Sequence, residues 1–230
     1  MLRTALLCAL AALVLAMQPA AAVLTPNGNY TACGVTSRWG FKTWTGSLST
    51  AHPLVFPKTE KELKDLVLSV GAVPNCKIRV AGTGGSTDGV VALKQDSKLV
   101  VVNLALLQVK NSWNNKLDKV KLRVRMGAGK SLLDLMTFIR PQGYLPPTRS
   151  YGRYFSLGGF YMSPSTHGGT FRLDRAAKQV TGLRVLLSSG LYMDITDEME
   201  VAEWRGSLGL FGIVVGKSID KAAHAYCCVD

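Results

Sequence analysis

A β-strand that runs straight into a glycine-rich loop constrains this chain more than any other segment. Lys77-Ile78-Arg79-Val80-Ala81 reads as a strand, and Gly82-Thr83-Gly84-Gly85-Ser86 follows without a break. Glycines after a strand leave backbone amides open to a ligand, because no side chain blocks the approach. A second glycine-flanked polar stretch comes later: Gly158-Gly159-Phe160-Tyr161-Met162-Ser163-Pro164-Ser165-Thr166-His167-Gly168-Gly169. One such loop is usually only a turn. Two of them supply consecutive amides with Ser163, Ser165, Thr166 and His167, the donors that a phosphate-bearing ligand requires. Ordinary turns are the alternative reading of the same residues.

The N-terminus has a basic start (Arg3), an apolar run from Ala5 to Met17 and the small residues Ala20-Ala21-Ala22. That order predicts a secretory signal peptide over residues 1–22, and hence a secreted protein. The run is short for a bilayer span, which needs about 20 residues, so no span is expected after cleavage. Removing 22 of the 230 residues leaves 208, enough for one generous domain. With 47% hydrophobic and 18% charged residues, disorder is excluded as the general state. In an exported chain Cys33, Cys76, Cys227 and Cys228 can pair. Cys33–Cys76 is the preferred bridge, and free buried thiols are the alternative. Asn29-Tyr30-Thr31 is a glycosylation sequon, consistent with export.

Helix and strand signals alternate irregularly, which predicts an α+β fold. Residues 23–52 read as a polar N-terminal arm whose Trp39 and Trp44 dock on the core, 53–220 as the domain and 221–230 as a tail. Thr59 and Glu62 form a capping box for a helix whose apolar face is Leu63, Leu66, Val67 and Val70. Leu99 to Leu104 reads as a buried strand. Lys119 to Met126 alternates basic and apolar residues and reads as a half-solvated strand. Ser131 caps a second helix, with Leu132, Leu135, Met136 and Ile139 buried. Val180 to Leu187 and Leu191 to Ile195 form a hairpin across Ser188-Ser189-Gly190, and Ile213 to Val215 is a further strand.

Several function classes are set aside. Net charge is +12, but the basic residues have no interleaved aromatics to stack on bases, so nucleic-acid binding is not expected. Gly127-Ala128-Gly129-Lys130-Ser131 looks like part of a phosphate-binding P-loop, yet Val124 stands where its first glycine belongs. His52, His167 and His224 are too few and too scattered for a zinc site, and no metal is expected. There is no G-x-S-x-G elbow. Asp88, Asp194, Asp197, Glu198 and Glu200 read as solvated turn carboxylates.

From Trp44 to Ile219 the ordered series of segments resembles a known family, the FAD-binding PCMH-type domain of the vanillyl-alcohol oxidase flavoproteins. The carrying motifs are Trp44-Thr45-Gly46, Pro53 to Pro57, helix Thr59 to Val70, Val80 to Ser86, Arg125 to Gly129 with Leu132 and Leu135, Gly143 to Pro146, Leu157 to Gly159, Thr166 to Gly168, Val180 to Gly190 and Gly206 to Val215. The flavour looks like the sugar-1,4-lactone oxidases, such as L-gulonolactone and D-arabinono-lactone oxidase. The resemblance implies a PCMH-type fold of two small α/β subdomains. It implies that Gly82, Thr83, Gly84, Gly85 and Ser86 hold the FAD pyrophosphate. Gly158, Gly159, Ser163, Thr166, His167 and Gly168 would line the flavin and diphosphate, and the backbone of Ile213 would meet the adenine. The implied reaction is oxidation of an alcohol or sugar lactone by hydride transfer to flavin, the cofactor supplying the chemistry. Gly85 stands where many members carry a flavin-linking histidine, so non-covalent FAD is expected. Relatives carry a substrate domain after this one, with no counterpart here for its catalytic base. A non-catalytic, truncated flavin-binding domain is therefore the alternative.

Overall fold

The computed structural model describes residues 23–25, 28–43, 49–85, 98–146, 148, 152–162, 176–220 and 223–224. Residues 1–22, Trp44, Ser86, Asp88, Ser163, Thr166, His167 and Gly168 lie outside them.

The described chain opens with β1 (Val23–Thr25), β2 (Tyr30–Ala32), β3 (Val35–Ser37), β4 (Gly40–Lys42) and β5 (Ser49–Val55). The helix α1 (Glu60–Gly71), β6 (Lys77–Ala81) and β7 (Leu99–Asn103) follow. The first sheet has the order β1-β4-β5-β7-β6, with β5, β7 and β6 parallel. All five residues of β7 are buried, the continuous apolar run of a parallel strand covered on both faces. One face packs Val100 and Val102 against Leu63, Val67 and Val70 of α1. The other gathers Phe41, Leu54, Ala81, Leu99 and Val101, with Trp39 against them. Residues 40–42 and 49–52 of the segment read as an arm are thus strand residues of this sheet. The hairpin of β2 and β3 is tied to the chain before β6 by the Cys33–Cys76 disulfide, the preferred pairing.

Thr59 caps α1 by accepting the Glu62 amide at 3.1 Å. Glu62 returns to the amide of Lys58 at 2.8 Å, one residue before the one a capping box uses.

A second sheet is wholly antiparallel, in the order β12-β11-β13-β9-β8. Its strands are β8 (Lys116–Asp118), β9 (Arg123–Gly127), β11 (Val180–Leu186), β12 (Tyr192–Ile195) and β13 (Ile213–Asp220). The short β10 (Tyr144–Leu145) pairs with β14 (Ala223–His224). The helices α2 (Leu132–Ile139), α3 (Leu157–Met162) and α4 (Glu198–Trp204) contribute buried side chains to the same core as β9, β11 and β13. Ser131 and Asp134 form a complete capping box at α2. Two five-stranded sheets, one mixed and one antiparallel, make the expected α+β architecture of two subdomains. Among the described residues no helix is long and apolar enough to cross a membrane.

Two expectations are corrected. Lys119 to Met126 is not one strand. Asp118 accepts the amides of Val120 and Lys121 at 3.0 and 2.9 Å, and this side-chain turn folds β8 back onto β9. Val120 ends 93% exposed and Leu122 takes φ +52°, so turn chemistry overrides the alternation. The acids Asp194, Asp197, Glu198 and Glu200 are solvated as expected, but they do not sit in turns: Asp194 is on β12, and Glu198 and Glu200 are in a helix. Asp197 caps the unanticipated helix α4 through the amides of Met199 and Glu200, Glu198 pairs with Arg205 at 2.7 Å, and Asp194 pairs with Arg184.

Arg184 on β11 also joins the two subdomains. Its Nε and Nη2 donate to both carboxylate oxygens of Glu60, at the start of α1, at 2.8 and 2.9 Å. Its Nη1 donates to Asp194 at 2.6 Å. Tyr192 lies under the guanidinium, 4.9 Å from Cζ to ring centre, and donates its hydroxyl to the Glu60 carbonyl at 2.6 Å.

Candidate cofactor-binding site

The parallel register of β6 on β7 sets Ala81 opposite Asn103 and so fixes where the glycine loop begins. Asn103 is buried at the end of β7. Its Nδ2 donates to the Gly82 carbonyl at 2.9 Å, and its Oδ1 accepts the Ala105 amide at 2.8 Å. One side chain therefore pins both exits from the parallel strands. In the sequence this asparagine reads only as an interruption of an apolar run. Its position at the end of a strand beside the loop is the signal that could have found it.

The loop turns at Gly84, whose φ of +79° favours glycine. Among the described residues no acceptor meets the amides of Thr83, Gly84 or Gly85. Three successive amides without partners at the end of a strand suit a phosphate group.

The second glycine stretch is brought against this loop by the segment leading into α3. A Cβ on Gly82 would overlap the Ser156 hydroxyl, and one on Gly85 would lie 2.5 Å from the Phe155 ring. Ser156 Oγ in turn accepts the amide of Gly159 at 3.2 Å. The tertiary structure therefore joins Gly82, Gly84 and Gly85 to Gly158 and Gly159 through Phe155 and Ser156, two residues the sequence reading passed over.

The amides of α3 itself are engaged within the chain. Leu157 donates to the Lys130 carbonyl and Gly158 to that of Ala128, both at 2.7 Å. Gly158 and Gly159 thus serve close packing, and the unengaged amides lie in the first loop. The same contacts explain the P-loop look-alike. Residues 127–131 are the ledge on which α3 docks, and a Cβ on Gly129 would strike the backbone of Leu104. The Ala128 amide is itself held by the Val215 carbonyl at 2.8 Å.

Beneath α3 lies Lys217, in β13, with no exposed surface. Its Nζ donates to the carbonyls of Leu157 and Gly158 at 3.1 and 3.2 Å. Burial pushes its pKa well below the usual lysine range. The strand signal at 213–215 stopped short of it. Ile213 starts the same strand opposite Leu186, about 13 Å along the chain from Lys217 at a strand's rise of 3.3 Å per residue. The described part of the second stretch ends at Met162, so the polar set Ser163, Thr166, His167 and Gly168 is not located.

The FAD binding domain family matches residues 51–196, more than half of the chain, from within β5 through β12. This chain belongs to that family. A comparison with curated proteins finds no match. Among solved structures, an alkyldihydroxyacetonephosphate synthase superposes with a TM-score of 0.61 at 17% identity. The match covers 74% of this chain and 30% of that one, so the FAD binding domain described here spans under a third of the synthase's length. At that identity the likeness is one of fold, and it agrees with the PCMH-type architecture of the two sheets.

The residues of this FAD binding domain fit the cofactor at one end. The amides of 83–85, which no described residue engages, lie in a loop where a Cβ on Gly82 or Gly85 would meet Ser156 or Phe155, which suits a pyrophosphate held by backbone.

Proposed function

We propose that this chain is the flavin-holding part of a secreted FAD-dependent oxidoreductase acting on an alcohol or sugar lactone. The observation that carries the reading is the strand-loop unit of β6 and residues 82–85, with three amides that no described residue engages, in a chain of the FAD binding domain family. In it Thr83, Gly84 and Gly85 hold the pyrophosphate through their amides, and Asn103 fixes the loop that presents them. Phe155 and Ser156 set the distance between that loop and α3. Ser86, Ser163, Thr166, His167 and Gly168 complete the diphosphate and flavin contacts, and the Ile213 backbone lies toward the adenine. When bound, FAD supplies the hydride acceptor.

Attachment is non-covalent in this reading. Gly85 provides no nucleophile, and the Phe155 ring fills the direction in which a side chain there would point. The lactone-oxidase flavour, the export route and the boundary at residue 53 rest on the sequence motifs alone.

The test is an absorption spectrum of the purified chain after incubation with FAD and gel filtration. Flavin bands that co-elute with the protein, and leave it on acid precipitation, are expected. Their absence would end the cofactor reading, and bands that stay with the precipitate would overturn non-covalent attachment. Hydrogen peroxide release on a panel of sugar lactones and alcohols then tests turnover. Flavin bound without turnover across the panel favours a binding domain over a complete enzyme.

A further inference from the structure

Lys217 is a residue that no step above requires to be charged, yet it is the buried cationic side chain nearest in contact to the glycine stretch. It occupies the middle of β13, fully buried, between Leu183 of β11 and Met126 of β9 in the register. Among the described residues no carboxylate lies within ion-pair distance of it. Its partners are the carbonyls of Leu157 and Gly158. A neutral amine has two N–H groups and satisfies those two acceptors completely. An ammonium carries a third N–H, for which the described residues offer no acceptor, and a charge without a partner. The amine therefore suits the ligand-free fold.

The surroundings add little charge. From α3 the titratable neighbour is Tyr161, fully buried, whose hydroxyl has no partner among the described residues. On β11 the adjacent Arg184 points to the opposite face, engaged by Glu60 and Asp194. On β9, Arg123 and Arg125 alternate with Met126 and so also leave the Lys217 face. Trp113, from the 3₁₀ turn Asn111–Trp113, packs against Gly216 and Arg125 and so lies on the opposite face as well. The acceptors Leu157 and Gly158 follow directly on Ser156, which abuts Gly82 at the start of the cofactor loop. Lys217 thus reaches the loop through the segment 155–158, whose Phe155 and Ser156 abut Gly85 and Gly82, and in a buried setting charges act over longer distances than in water.

We propose that Lys217 is a positioning residue that couples proton uptake to cofactor binding: neutral in the empty fold, it takes one proton from solvent as a pyrophosphate docks on the glycine loop. No other bond changes. The two carbonyl contacts hold in both states, so α3 keeps its place while the core gains the positive charge that balances the ligand. The inference rests on the FAD reading above.

The experiment is isothermal titration of FAD into the whole chain, from pH 6 to 9, in buffers of different ionisation enthalpy. The slope of heat against buffer enthalpy counts protons. Net uptake of up to about one proton per FAD is expected, because a nearby anion favours the charged form of a lysine. Riboflavin, which lacks the pyrophosphate, is expected to bind with none. Lys217→Met, an apolar residue of similar length, is expected to bind FAD without uptake. FAD binding by the wild type with no proton uptake overturns the coupling and leaves the FAD reading standing. Uptake that persists in Lys217→Met overturns the assignment to this residue. No binding of FAD by the wild type removes both. The wild-type measurement needs no variant to fold, so the coupling can be refuted even if Lys217→Met fails to fold.

Discussion

Replacing Arg184 with methionine tests whether the two subdomains are held in register by one ion cluster. The change removes the paired bonds to Glu60 at 2.8 and 2.9 Å and the bond to Asp194 at 2.6 Å, while keeping much of the apolar volume. The Asp194 arm is 41% exposed and contributes little, within the 0–1 kcal/mol of surface pairs. The Glu60 arm dominates, because its side chains are 9% and 19% exposed. Breaking a fully buried pair costs about 3–5 kcal/mol. Glu60 keeps the Lys110 amide at 3.1 Å and the favourable first turn of α1, so about 2–3 kcal/mol is expected for the variant. For a domain of this size that is a fall in melting temperature of about 5–10 °C. Urea unfolding of wild type, Arg184→Met, Glu60→Gln and the double variant closes a thermodynamic cycle, in which the two positions should couple by more than about 1 kcal/mol. A coupling near zero, or a loss under about 0.5 kcal/mol for Arg184→Met, would refute the argument that this contact joins the subdomains.

The same pair sets an acid limit. Burial raises the Glu60 pKa, but bonds from Arg184 and the Lys110 amide, with the Arg184 charge, outweigh it, and the net shift is downward. A lowered folded pKa means stability that is present above the unfolded carboxylate value of about 4.3 and lost as pH falls through the folded value. Acid unfolding followed by circular dichroism should show a step in that window that shrinks in Glu60→Gln. Lys217 carries a signature of the same sign at higher pH. Its folded pKa is depressed, so stability is highest above the unfolded lysine value of about 10.4 and falls as pH drops toward the folded value. Lys217→Met should therefore gain stability relative to wild type as pH is lowered from 11 to 7, read from paired melts; a constant difference across that range counts against a neutral buried amine. Opening the Cys33–Cys76 bridge by a double serine substitution should cost about 3–4 kcal/mol, given a sequence separation of 43 and the loop-closure model, measured by urea midpoint. Gly85→Val should weaken FAD binding at least tenfold in a fluorescence titration while Gly129→Ala chiefly lowers the melting temperature, since the first side chain would meet Phe155 at the loop and the second the Leu104 backbone in the core. Equal effects of the two on binding and melting would contradict that division.

The strongest local signals in the chain were legible as written. Thr59 and Ser131 start their helices because a hydroxyl at the N-cap satisfies an amide that no other residue reaches, and that chemistry is complete within four residues. The apolar run at β7 and the glycines after β6 were equally readable, because burial and backbone freedom are properties of the residues themselves. Where two local signals competed, the weaker was mistaken for the stronger. Alternation from Lys119 to Met126 pointed to a strand, but Asp118 closes a turn through two amides and splits it.

The sequence by itself determined the α+β class and the first glycine loop, whose amides lie open because glycine carries no side chain. Only the tertiary structure decided which amides stay unengaged, since Gly158 and Gly159 are contiguous in chemistry with the loop yet give their amides to Ala128 and Ser156. It also decided that Asn103, Phe155 and Ser156 shape the site and that Lys217 lies beneath it. Those roles come from a parallel register, a docking ledge and a sheet face, each made by residues distant in sequence. A buried lysine acquires its meaning from what surrounds it, and that environment exists only once α3 has docked on the antiparallel sheet.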